Sequence, residues 1–127
     1  MIVVDASTIL EVLLRTTDAA DWLLDSGETL HAPHLLDVEI AQVIRRYEAR
    51  GELSAERGQE VLTDLMAFPV ARYPHDGLLQ RMWELRHNLT AYDAVYVALA
   101  EALDAPLVTR DERLASAPGH NAIVRIV

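Results

Sequence analysis

The apolar run "IVV" ends at Asp5 and passes without a linker into "STILEVLLR", where apolar residues recur at helical spacing. A short buried strand therefore hands straight over to a helix, and the same pattern returns along the chain. A second helix is expected from about Asp18 to Ser26, ended by Gly27, and "TLHAP" is a short strand stopped by Pro33. "HLLDVEIAQVIRRYEAR" is a long helix closed by Gly51. Ser54 caps the next helix, to about Phe68, so residues 35–68 form a helical hairpin. After Pro69 come the strand "VARY", an amphipathic helix "DGLLQRMWELR", the apolar helix "TAYDAVYVALAEAL", the strand "APLVTR", a helical turn or two in "DERLAS" and a closing strand "AIVRIV". Short apolar strands alternating with helices predict an α/β fold with an open, mostly parallel sheet covered on both faces, as one domain over residues 1–127.

In such sheets the functional site lies outside the carboxyl ends of the strands, near the point where the strand order reverses. Asp5 stands one residue past the first apolar run, and Asp111 stands shortly after the late strand. Both should open on the same edge. Asp93, in the first turn of a helix that carries eleven apolar residues in thirteen from Ala91 to Leu103, reaches that edge if its helix enters the late strand by the usual crossover. Glu39 is the fourth candidate. At about 100° per residue it lies within roughly 60° of Leu35, Leu36 and Val43, on or beside the apolar face of its helix.

A carboxylate on an apolar face costs free energy unless something pairs with it. The neighbours of Glu39 at three and four residues are Leu35, Leu36, Gln42 and Val43; those of Asp93 are Leu89, Thr90, Tyr96 and Val97. No basic residue is placed to pair with either along its helix. A hard divalent cation supplies a common partner. Magnesium takes a few carboxylate oxygens and completes its shell with water and phosphate oxygens, and it lets crowded carboxylates ionise together. Asp5, Glu39, Asp93 and Asp111 on four elements thus describe a metal-dependent phosphodiesterase, with Asp93 sharing an ion with Asp5 and Asp111 while Glu39 binds the ion or positions the attacking water. The acids also admit simpler roles. Asp93 fits a capping box opened by Thr90, Asp5 and Asp111 fit helix N-caps, and Glu39 could reach Arg46 or snorkel to solvent.

Composition narrows the alternatives. The chain has no cysteine, which removes disulfides, thiolate metal sites and a Cys nucleophile. All eleven basic residues are arginine, so Schiff-base chemistry, a P-loop lysine and the lysine of a response-regulator receiver are absent. A net charge of -9 disfavours nonspecific binding to nucleic acid or anionic membrane without forbidding a nucleic-acid substrate. The longest apolar run, Ala94 to Ala100, is far short of a membrane span, and Asp5 stands where a signal peptide would want positive charge, so a cytoplasmic protein is expected. Ser7 occupies the position where a phosphoaspartate hydrolase wants a second acid. There is no "GxSxG" elbow, and Pro33 between His31 and His34 breaks the helix that a zinc pair would need.

"MIVVDAS", the helix acid in "HLLDVEIAQVI", "LTAYDAVYVALAEAL" and "PLVTRDERLA" occur in the order and spacing of the PIN-domain ribonucleases, and the chain resembles the VapC toxins of bacterial toxin–antitoxin pairs over its whole length. The resemblance implies a three-layer α/β/α sandwich and a magnesium- or manganese-dependent endoribonuclease site. By position, Asp5, Glu39, Asp93 and Asp111 match the family's acids, and Ser7 and Thr109 match small polar residues that help orient metal or water. Arg110 is placed to face the RNA. It also implies a homodimer and a small antitoxin that inserts a segment near the acids, with the hairpin of residues 35–68 as its docking surface. Arg81 and Arg86, with Arg110 and Arg113, could hold phosphates near the acidic site. The reading from a different class is a noncatalytic module that keeps the fold and uses its groove only to hold a partner.

Overall fold

A computed structural model describes residues 1–15 and 19–127, with Ala19 and Ala20 described by their backbone alone. The elements run β1 (Ile2–Val4), α1 (Ala6–Leu14), α2 (Ala19–Asp25), β2 (Leu30–Pro33), α3 (Leu35–Ala49), α4 (Ala55–Ala67), β3 (Val70–Tyr73), a 3-10 turn (Asp76–Leu78), α5 (Leu79–Glu84), α6 (Ala91–Leu103), β4 (Leu107–Thr109), α7 (Glu112–Ser116) and β5 (Val124–Ile126). The expected helix start at Asp18 lies outside the described residues.

All five strands are parallel, in the order β3-β2-β1-β4-β5. Short apolar strands favour this arrangement because a parallel sheet is covered on both faces by its crossover helices. Ile2 and Val4 point to one face with Ile9, Leu36, Ile40, Val61 and Leu65, whereas Val3 points to the other with Leu85, Leu107 and the buried side of α6. That alternation makes three layers. The chain passes from β1 outward through β2 to β3, then crosses back to β4, so the order reverses between β1 and β4. Their register, Val3 beside Leu107 and Val4 beside Val108, brings Asp5 and Thr109 together just past the strand ends.

One expected helix is broken. The segment 76–86 forms a 3-10 turn and the short α5, which ends at Glu84, rather than one continuous amphipathic helix. Leu78, Leu85 and Leu89 are all buried in the same core, and after α5 the Arg86 and Asn88 N–H groups donate to the Trp83 and Leu85 carbonyls three residues back. His31 and His34 are likewise structural. The His31 ring bridges Thr29 Oγ1 at 2.9 Å and the Tyr73 hydroxyl at 2.7 Å, and the His34 ring leans on that of His75.

The helix that carries Glu39 is capped from another part of the chain. His34 gives α3 no side-chain cap, and the Leu35 N–H instead donates to His75 Nε2 at 3.0 Å. His75→Ala should therefore destabilise the fold by about 1 kcal/mol, as loss of an N-cap acceptor usually does. Thermal unfolding should show a midpoint lower by roughly 4 °C; an unchanged midpoint would mean that water replaces the imidazole at no cost.

Candidate active site

Asp5 is buried and held on both oxygens. As N-cap of α1 it accepts on Oδ1 from the Ser7 hydroxyl at 2.7 Å, the Thr8 N–H at 3.1 Å and the Thr8 hydroxyl at 3.0 Å. Oδ2 accepts from the hydroxyl of Thr109, the last residue of β4. Thr109 Oγ1 in turn accepts from the Asp111 N–H at 3.0 Å, and Ser7 Oγ accepts from the Arg110 N–H at 3.3 Å. These bonds tie the ends of β1 and β4 into one rigid floor. Ser7 and Thr109 thus stand beside the acid they were expected to serve, and Thr8 joins them. Thr8 was legible in principle: an Asp N-cap usually receives the N–H three residues on.

Glu39 and Asp93 face this floor from α3 and α6, both half-buried. Burial is the main cause that raises the Glu39 carboxyl above its ordinary value, and the negative charges of Asp5 and Asp93 raise it further against a hydrogen bond from Tyr96. Asp93 is raised as well, first by burial and then by Asp111, with Asp5 adding to it; Arg113 and Thr90 act in the opposite direction. The four acids are therefore near enough to feel one another. Thr90 caps α6 through the Asp93 N–H at 3.2 Å, so the capping geometry exists and leaves the Asp93 carboxylate on the acidic edge.

The Tyr96 hydroxyl donates to Glu39 Oε1 at 2.6 Å from α6, and Tyr96 is only 2% exposed. Burial and the adjacent Glu39 push its phenol far above the ordinary tyrosine range, which keeps it a donor. A buried tyrosine hydroxyl needs an acceptor and a buried acid needs a donor, so each residue signalled a missing partner. Only the fold, which brings α3 and α6 from opposite faces of the sheet to one edge, matched the two.

The remaining candidates divide. Asp111 caps α7 and is gripped by Arg113, whose Nε and Nη2 donate to its two oxygens at 3.1 and 2.7 Å. That guanidinium holds the Asp111 carboxyl below the usual carboxylate range. The Arg110 guanidinium lies 3.6 Å from Glu11 at the same edge. Arg86 stacks 4.4 Å over the ring of Trp83, which is 63% exposed, and also donates to the Trp83 carbonyl. Arg81 does not serve the acidic edge. It forms a two-pronged pair with Glu101 near the far end of α6 at 2.7 and 3.0 Å, and a third bond to the Gly119 carbonyl. Expecting it to hold phosphate overlooked that partner, twenty residues away.

Among the described residues no three acid or imidazole groups lie as a ready-made metal cluster. Asp5, Asp93 and Asp111 share one edge without converging, because each carboxylate is drawn to its own local donors and away from the other charges. The donor chemistry nevertheless fits a hard divalent cation. The groups are carboxylate and hydroxyl oxygens, and two of the carboxylates are held up by burial and mutual repulsion that a cation would relieve.

A family profile described as the PIN domain matches residues 2–119. The chain is 51% identical over 114 residues to Ribonuclease VapC9 of Mycobacterium tuberculosis, which covers 90% of this chain and 88% of that protein. VapBC2 from Rickettsia felis, solved bound to a DNA fragment from their promoter, matches with a TM-score of 0.74 at 17% identity over 99% of this chain and 98% of that one. A toxin-antitoxin complex from Klebsiella pneumoniae matches with a TM-score of 0.67 at 16% identity over 91% of each chain. The two structural likenesses agree with the all-parallel, helix-covered sheet.

Proposed function

The chain belongs to the VapC branch of the PIN-domain family, and on that premise we propose that it is a metal-dependent endoribonuclease, the toxin of a toxin–antitoxin pair, with its whole length forming one PIN domain. The observation that carries the reading is the pair of half-buried carboxylates, Glu39 and Asp93, that face Asp5 from two helices and have no cationic side chain in direct contact among the described residues. Such a group repels itself unless a cation joins it.

In this reading Asp5, Asp93 and Asp111 hold magnesium, or manganese in its place. When bound, the ion would supply a lowered water pKa and offset negative charge on the phosphodiester. Ser7, Thr8 and Thr109 keep Asp5 from turning away. Glu39 would reach the ion and the attacking water with the carboxylate oxygen that Tyr96 does not occupy. Arg110, from the floor of the site, and Arg86, backed by Trp83, meet phosphates or bases of the RNA. The surrounding charge is acidic, so these two arginines would supply the local attraction that the chain as a whole lacks.

The antitoxin docks on the α3–α4 hairpin, by the same reading. An apolar groove of about 430 Å³ lies there, lined by Ala41, Leu62, Leu65 and Met66. Asp37 borders it. One Asp37 oxygen accepts from Arg72 at 2.8 Å. Among the described residues no helix is long and apolar enough to cross a membrane, and we place the protein in the cytoplasm, as a homodimer that binds its cognate antitoxin.

Incubation of a mixed structured RNA pool with the purified chain tests the function. Cutting is expected with magnesium or manganese and should stop with chelator, and Asp93→Asn should lower the rate by about 100-fold while remaining folded. Absence of cutting under every metal, with antitoxin binding intact, would replace the nuclease by a binding module.

A further inference from the structure

We infer that Tyr96 is a positioning residue for Glu39: its hydroxyl fixes one carboxylate oxygen and thereby presents the other to the reacting water and ion. The inference rests on the nuclease reading above. Nothing on α3 itself orients Glu39, because its neighbours one turn away are Leu35, Leu36, Gln42 and Val43. A glutamate has three side-chain torsions and, half-buried beside solvent, could point away from the site. Tyr96 removes that freedom from a different helix, α6, with a 2.6 Å bond to Oε1.

The anchor is itself immobile. Tyr96 lies in the fully buried run Ala94–Ala100 of α6, packed with Val95, Val97 and Leu99 in the core on that face of the sheet. It also lies one helical turn after Asp93, so the element that carries one acid sets the direction of another. No described donor bonds to Glu39 Oε2, and Oε2 is not among the buried unsatisfied atoms. That oxygen is therefore open to solvent, where a water or ion can meet it.

The test compares wild type, Tyr96→Phe, Glu39→Gln and the double variant, reading Mn²⁺ binding from the electron paramagnetic resonance signal of free Mn²⁺, and RNA cleavage beside it. Phe keeps the packing and removes only the donor. Tyr96→Phe is expected to raise the Mn²⁺ dissociation constant about five- to tenfold and to slow cleavage in proportion, the scale of one charge-assisted hydrogen bond. In the Glu39→Gln background the same change should add nothing to either. Mn²⁺ binding unchanged by Tyr96→Phe, or weakened equally with and without Glu39, overturns the inference while leaving the nuclease reading intact. A wild type that neither binds Mn²⁺ nor cuts RNA overturns both. If Tyr96→Phe does not fold, Tyr96→Met, which fills the buried space without a hydroxyl, takes its place in the single and double variants, with the same expected loss and the same overturning results.

Discussion

Asp5→Ala should lower the unfolding free energy by about 2–3 kcal/mol and reduce RNA cleavage by at least about a thousandfold. The loss of stability has two sources. The N-cap of α1 disappears, and the buried Thr8 N–H and Thr109 hydroxyl lose their acceptor. Some relief offsets this, since Asp5 repels Glu39 and Asp93. The Thr8 hydroxyl retains a partner in the Val108 carbonyl, and Ser7 can turn to water. Thermal unfolding should register a fall of roughly 8–12 °C. Asp5→Asn separates cap from charge. Its remaining oxygen still accepts from Ser7 and Thr8, so stability should stay within about 1 kcal/mol of wild type. Cleavage should nevertheless be lost, because the amide presents no negative charge to an ion. An Asn variant that cuts RNA at the wild-type rate would reduce Asp5 to a helix cap.

The second large effect concerns pH and divalent ions together. Glu39 and Asp93 hold protons more tightly in the folded chain than in the unfolded one. In chelator, the folded state therefore loses stability as pH rises from the ordinary carboxylate range, about 4, through their higher folded values, and the full penalty stands above those values. The double variant Glu39→Gln with Asp93→Asn lacks this penalty. It should unfold at a higher temperature than wild type near pH 7.5, and the advantage should shrink on acidification. His31 acts in the opposite direction, because burial lowers its affinity for a proton and the folded state loses stability as pH falls through the ordinary histidine value. His31 is present in both proteins, so the difference between the two unfolding curves isolates the acids. Addition of Mn²⁺ at about one hundred times its dissociation constant should stabilise wild type by about 2.7 kcal/mol, roughly 10 °C, and leave the double variant nearly unmoved. A double variant less stable than wild type in chelator at neutral pH would show that both acids are satisfied structural groups.

The alternation of strands and helices was legible because short apolar runs and helical periodicity are local properties of the chain. The N-caps at Asp5, Ser54 and Thr90 were legible for the same reason, since a cap is made within three residues. So was the sharing of one edge by the acids, because parallel strands joined by crossover helices send residues just past their carboxyl ends to the same side of the sheet. The break in segment 76–86 was not legible. Its periodicity fits a continuous helix, whereas after α5 the Arg86 and Asn88 N–H groups donate three residues back, to the Trp83 and Leu85 carbonyls, in tightened turns.

The sequence by itself determined the element order, the layers and which acids stand at the carboxyl edge of the sheet, all of which depend on neighbours a few residues apart. Tertiary structure alone decided which groups hold them: Thr109 on Asp5, Tyr96 on Glu39, His75 at the start of α3, and Glu101 drawing Arg81 to the far end of α6. In space these partners meet within hydrogen-bond reach, but along the chain they lie from twenty to more than one hundred residues apart. A side chain's need for a donor or an acceptor is written in its chemistry, whereas the partner that meets the need is chosen only when the helices pack on the sheet.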